Sequence, residues 1–150
     1  MIKIITICDS FKHFEEPIKE YKKRLGRKVE ILKLKPSKKD NIDEVIKEET
    51  KTIIEKLSKI NAFKIVLSIS GKTFSTQEFL NFVEYKFQNF PEIIFIIGGP
   101  YGLDYKELKK HIDFEISFSP MTFPHIEALL ILLEQLYRIE TIKQGKTYHY

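Results

Sequence analysis

The run Ile93–Ile97, IIFII, restricts the fold more than any other part of this chain. Successive side chains of a strand point to opposite faces, so a strand without a polar residue needs cover on both. That is the situation of a central strand in a parallel sheet, with helices packed above and below.

The hydrophobic pattern elsewhere supplies the partners for such a strand. Ile2–Ile7 reads as a buried strand, followed by a helix over Glu15–Leu25 that carries Pro17 in its first turn. Val29–Leu34 is a second strand and residues 35–40 form a polar loop. Asn41 caps a long helix whose apolar positions Ile42, Val45, Ile46, Ile53, Ile54 and Leu57 follow the i, i+3, i+4 spacing. Residues 65–69 form a third strand, and Ser75 with Glu78 makes a capping box for the helix of Phe79, Phe82, Val83 and Phe87. After Ile93–Ile97 come a glycine-rich loop, a short helix capped by Asp104, a strand over 114–118 and a last helix. Between these last two, Pro120 and Pro124 each fix φ and hold the preceding residue out of the helical region. Residues 119–123 should therefore be extended or turning, with Pro124 in the first helical turn. The alternation predicts one α/β domain over residues 1–150, a parallel sheet with helices on both faces.

With 43% hydrophobic residues, including 12 Phe and 7 Tyr, the chain can fill the core that such a sheet needs. Its longest apolar run, residues 128–133, falls far short of the ~20 residues needed to cross a bilayer. The N-terminus runs straight into a strand pattern without the layout of a secretion signal. Cys8 is the single cysteine, so no internal disulfide forms, and the expectation is a soluble, cytoplasmic protein. The net charge of +4 is modest but uneven: Lys22, Lys23, Arg24, Arg27, Lys28, Lys33, Lys35 and Lys38 cluster against only Glu20 and Glu30. Such clustering suits a polyanion such as RNA, and equally suits an ordinary lysine-rich surface.

In open α/β sheets ligands bind beyond the carboxyl ends of the strands. Three of those ends are unusual here: LSISGK (67–72), IIGGPYGL (96–103) and SFSPMTFPH (117–125). Gly98 and Gly99 permit close approach of a ligand to the backbone, and Gly102 suits a turn with positive φ. Neither the dinucleotide fingerprint nor a phosphate-binding loop is present. His13, His111, His125 and His149 lack metal-ligand spacing, so no metal site is expected.

Taken together, IIGGPYGL, SFSPMTFPH about twenty residues later, LLEQLYR and a terminal YHY resemble the SPOUT-class methyltransferases. More narrowly, the resemblance is to the RlmH type, which methylates N3 of a pseudouridine in 23S ribosomal RNA of the large subunit. It spans nearly the whole chain. It implies a C-terminal trefoil knot, a homodimer, and S-adenosylmethionine bound in the knot. By matching positions, Leu67 and Gly99 line the cofactor pocket, and Ser119, Pro120, Met121, Thr122, Phe123 and Pro124 form its wall, with Met121 and Phe123 as apolar cover. The resemblance also places Tyr148 and His149 of the tail over the cofactor as catalytic candidates. His125 beside the cofactor loop is a third candidate, and Arg138 is expected to hold the dimer or a phosphate. Three positions depart from the family: Ser68 where an acidic residue is common, Leu129 where an arginine is usual, and Tyr150 where a basic residue is common. The alternative reading is a catalytically inactive ribosome- or RNA-binding module of the same fold, and a degraded cofactor loop would be its mark. A third, a nucleotide-binding α/β protein with another cofactor, fits the sheet but not the joined motifs.

Overall fold

The computed structural model describes all 150 residues. Its elements are β1 (Ile2–Ile7), α1 (Glu15–Leu25), β2 (Val29–Leu34), α2 (Ile42–Leu57), β3 (Phe63–Thr73), α3 (Thr76–Phe87), β4 (Ile93–Ile97), α4 (Tyr105–Leu108), β5 (Phe114–Ser117) and α5 (His125–Lys143). The five strands form one sheet in the order β2-β1-β4-β3-β5, and every pairing is parallel. β4 lies at the centre and all five of its residues are buried, as its lack of polar positions requires.

Alternation along the strands divides the core into two layers. Ile93, Phe95 and Ile97 join Ile4, Ile65 and Ile116 under α1, α3 and α5. Ile94 and Ile96 join Ile5, Ile7 and Val66 on the opposite face, against Ile53 and Leu57 of α2 and Leu108 of α4. Each fully buried Ile or Phe contributes about 1.5–3 kcal/mol relative to exposure, so this two-layer burial is the main source of stability. The expected caps are in place: Asn41, Ser75 and Asp104 accept the backbone N–H of Glu44, Glu78 and Glu107. Gly102 has φ 76°, as its turn demands.

Three expectations need correction. β3 does not stop at residue 69 but continues to Thr73 after a break in register, since Leu67 and Lys72 both pair with Ile116. Pro124 sits at the N-cap with ψ 143°, one residue before the first helical turn, because the prolyl carbonyl rather than its missing N–H is what the helix uses. Ile42 is exposed, whereas Glu49 and Thr50 of the same helix are buried beneath the glycine-rich loop. The apolar girdle of α5 is largely covered within one chain: Ala128, Leu129, Leu132, Leu133 and Leu136 are buried, leaving Leu130 and Ile131 half-buried. Leu129 is thus a core residue of the layer under α1 and α3.

Candidate functional site

The carboxyl ends of β3, β4 and β5 converge on a cavity of about 580 Å³. Leu67, Ser68 and Ile69 form one side, and Ile97, Gly98, Gly99, Pro100, Gly102 and Tyr105 a second. Ile116 to Ser119 and Thr122 to His125 form a third, closed by Ala128 and by Lys12 from the loop after β1. The size suits a small organic ligand, and the mixture of aliphatic floor with loop backbone suits a flat heterocycle bearing polar edges. No Asp or Glu lines it.

Of the residues expected there, Leu67, Gly99, Ser119, Thr122, Phe123, Pro124 and His125 do line the cavity. Pro120 and Met121 do not, and Met121 is 73% exposed rather than covering the ligand space. Serines explain this. Ser117 Oγ donates to the Ser119 carbonyl (2.8 Å) and accepts the Ser119 N–H, while Ser119 Oγ accepts the Met121 N–H (3.0 Å). These turns double the chain back and leave Pro120 and Met121 at the outer tip.

Tyr148 and His149 also lie elsewhere within the chain. Gly145 at φ 67° reverses the backbone after α5, and the Lys146 N–H returns to the Thr141 carbonyl. The Tyr148 ring then packs edge-on against Tyr137 at 4.8 Å, with its hydroxyl bonded to Tyr21 and Glu134. The bond to Tyr21, burial and the Glu134 charge all push the pKa of this phenol up, so it stays protonated. Glu134 lies nine residues after His125, about 13 Å along the helix axis. The tail therefore does not cover its own chain's cavity. Arg138 pairs with Glu134 at 2.6 Å and reaches His149 Nδ1 at 3.2 Å. A guanidinium only donates, so Nδ1 accepts and the hydrogen of His149 is on Nε2.

The glycines have a reason the sequence did not show. A Cβ on Gly98 would fall 2.7 Å from Leu103 Cγ, and one on Gly99 would fall 2.8 Å from Glu49 Oε1 and 3.4 Å from Ile7. Protein atoms behind the loop, not only a ligand in front, exclude side chains, so Gly99→Val would act through that packing. Glu49 is 2% exposed; Oε2 accepts the Ser37 N–H at 2.9 Å while Oε1 has no partner. Burial, with the nearby Glu48 charge, pushes its pKa up despite the Ser37 bond. Above the ordinary carboxylate range the unfolded chain loses this proton before the folded one, so stability falls as pH rises toward the folded value. Glu49→Gln is expected to flatten that fall. Denaturant unfolding at about pH 5 and about pH 8 checks it, and equal slopes in both proteins would assign the pH dependence to other groups.

Burial, reinforced by the Lys12 charge, lowers the pKa of His125, so the ring is uncharged at neutral pH. Burial, with Glu115, raises that of Tyr105, which stays a phenol. Ser68 Oγ is held by Ser70 at 2.8 Å, a neutral pair where an acid was the expectation from resemblance. Sequence reading missed Lys12 and Tyr105. The signal for Lys12 was its place just beyond the carboxyl end of β1, next to central β4.

A family model described as "Predicted SPOUT methyltransferase" matches residues 1–149. A protein of Caldicellulosiruptor saccharolyticus named ribosomal RNA large subunit methyltransferase H is 36% identical over 155 residues, covering 99% of both chains. Proteins of the same name from Streptococcus suis and Francisella tularensis subsp. novicida are each 37% identical, covering 99% of this chain and 98% of theirs. Matched over nearly its whole length, and with its three unusual strand-end loops gathered around one cavity, this chain belongs to the SPOUT methyltransferase family.

Proposed function

We propose that residues 1–150 act as one methyltransferase domain that transfers a methyl group from S-adenosylmethionine to N3 of a pseudouridine in 23S ribosomal RNA. The observation that carries this reading is the single cavity built from the three motif loops, in a chain whose relatives are named as large-subunit rRNA methyltransferases. The proposal includes a trefoil knot in the C-terminal segment, a homodimer and a cytoplasmic location; no helix is long and apolar enough to cross a membrane.

The residues fit the donor. Leu67, Ile116 and Phe123 offer apolar contact for an adenine ring, and the serine-braced 117–121 turn presents fixed backbone groups to its edge. A preset loop lowers the ordering cost of binding. Bound there, S-adenosylmethionine supplies an electrophilic methyl group on a sulfonium, and the absence of carboxylates leaves no competing anion beside it. His125, uncharged at the cavity rim, is placed to take the imide proton. In a homodimer the tail of one chain can reach the cavity of the other, where Tyr148 stacks on a base and His149 donates from Nε2 to the imide. Exposed Lys23, Arg27, Lys35, Lys38 and Lys39 give the RNA backbone a basic surface. Ser37, in the same loop as Lys35 and Lys38, is bonded to Glu49 directly behind Gly99, so this surface and the cavity wall are mechanically joined.

An inactive RNA-binding module would not need an open donor cavity, and this one is open. Calorimetric titration should give micromolar affinity for S-adenosylmethionine without added metal. Radiolabelled methyl transfer to ribosomes lacking the modification, followed by mapping of the labelled base, tests the substrate. Donor binding without transfer would favour the inactive module.

A further inference from the structure

Lys12 is the one non-glycine residue with a left-handed backbone, φ 49°. Residues other than glycine, Asn and Asp seldom sit there, because Cβ crowds the following carbonyl. The surrounding turn is nevertheless firmly held. Glu15 accepts the Phe11 N–H at 2.9 Å, Phe14 N–H returns to the Phe11 carbonyl, and Phe11 is buried in the core. The single 3-10 turn Lys12–Phe14 packs on α5, whose first residue is His125. The strained residue thus lines the cavity beside His125. Its ammonium has no carboxylate partner, and no acid lines the cavity to neutralise it. A cation kept unpaired at a backbone cost, at the mouth of a site, is arranged for an anion that arrives with the substrate.

We propose that Lys12 is a catalytic residue whose ammonium meets the negative charge of the target imide as N3 loses its proton. This rests on the reading of the chain as a pyrimidine-N3 methyltransferase. The N3–H bond breaks, and the proton passes to the uncharged ring nitrogen of His125. The electron pair stays on the imide, spread over N3 and its two flanking carbonyl oxygens, and becomes the nucleophile. Lys12 keeps its own protons throughout. The anion lies between Lys12 and the newly charged His125, in a site with no opposing carboxylate. Charge stabilisation of this kind acts mainly in the transition state, so it belongs to the rate at saturation.

Three variants test this: Lys12→Met, Lys12→Arg and Lys12→Gly. Each is measured for S-adenosylmethionine affinity by calorimetry, ribosome KM, methylation rate at saturation, and melting temperature. Lys12→Met should lower the saturated rate about 10²-fold while donor affinity and ribosome KM change by no more than about twofold. Lys12→Arg should keep the rate within about tenfold, since the cation remains. Lys12→Gly should melt higher than the parent, because glycine accepts this φ, yet lose as much rate as Lys12→Met. A loss confined to donor affinity overturns the proposal in favour of a contact with the donor's carboxylate. A loss confined to KM overturns it in favour of an RNA phosphate. A full rate in Lys12→Met removes any role. A parent protein that binds the donor but methylates no ribosomal RNA overturns the functional reading and this proposal together.

Discussion

Deleting Tyr148, His149 and Tyr150 is expected to lower methyl transfer to ribosomes about 10²–10⁴-fold, the range for a lost acid–base group. Donor affinity and melting temperature should stay close to those of the full chain. Within one chain the deletion removes a half-buried tyrosine from Tyr137, worth about 1 kcal/mol of aromatic contact, together with the part-exposed bonds of Tyr148 to Tyr21 and Glu134 and of His149 to Arg138, whose groups stay open to water. None of the three lines the cavity of its own chain. A large kinetic loss with little change in stability would therefore mean that the tail works in a second copy. Mixing sharpens the test. Truncated chains are combined with chains whose cavity is blocked by Thr122→Trp, a substitution at an exposed position on the cavity wall. If the tail acts across a dimer, randomly exchanged mixtures regain about a quarter of the full activity, since half the dimers carry one complete site. If it acts within one chain, they regain none. A truncated enzyme at the full rate would remove Tyr148 and His149 from the mechanism.

Gly71→Ala should destabilise the protein by about 3 kcal/mol, the upper part of the range for overpacking. A Cβ there would fall 2.5 Å from the Ile116 carbonyl carbon and 2.7 Å from both Glu115 C and Ile116 N. These are backbone atoms of β5, which cannot turn aside as a side chain can. β5 is an edge strand whose sole partner is β3, so its simplest response is to move away from the sheet. Movement carries Ile116 out of the core and displaces the Ser117–Ser119 turns that shape the cavity wall. For a chain of this size the melting temperature should drop by about 10 °C, with S-adenosylmethionine affinity falling alongside. A variant within a degree or so of the parent would show that the irregular β3–β5 pairing yields at low cost.

What could be read from the residues follows from what periodicity and capping encode. Ile93–Ile97 announced its central place because no half-exposed position could hold it. Ser75 with Glu78, Asn41 and Asp104 marked their helices because each cap is completed within four residues. The strand after residue 69 was not readable: Ser70, Gly71 and Lys72 look like a loop, and only the backbone of β5 turns them into a strand. Glu49 looked like one more charge on a helix exterior, since nothing local reveals that Gly99 will lie over it. Met121 and Phe123 were indistinguishable as cover for a ligand until the serine turns aimed one outward and the other inward. Both faces of the sheet were legible; the direction of the tail was not. That direction depends on Tyr21 and Glu134, which meet Tyr148 across 127 and 14 residues of sequence.

The sheet order also governs when the protein becomes competent as it leaves its own ribosome. β1 emerges first, yet one of its two partners is β4, which begins at residue 93. β3 cannot gain its second neighbour until residues 114–117 are made. Every pairing is parallel and needs a crossover, so few contacts reward an incomplete chain. A nascent chain halted near residue 110 would expose the open edge of β3 and a core face without α5, the kind of surface that attracts chaperones or other copies. Apart from Lys12, the cavity walls come from residues 67–69, 97–105 and 116–128, so donor binding appears only when the last quarter of the chain has been released. The donor cavity is thus a property of the finished chain, and a chain cut short anywhere before α5 is a folding hazard rather than a slower catalyst.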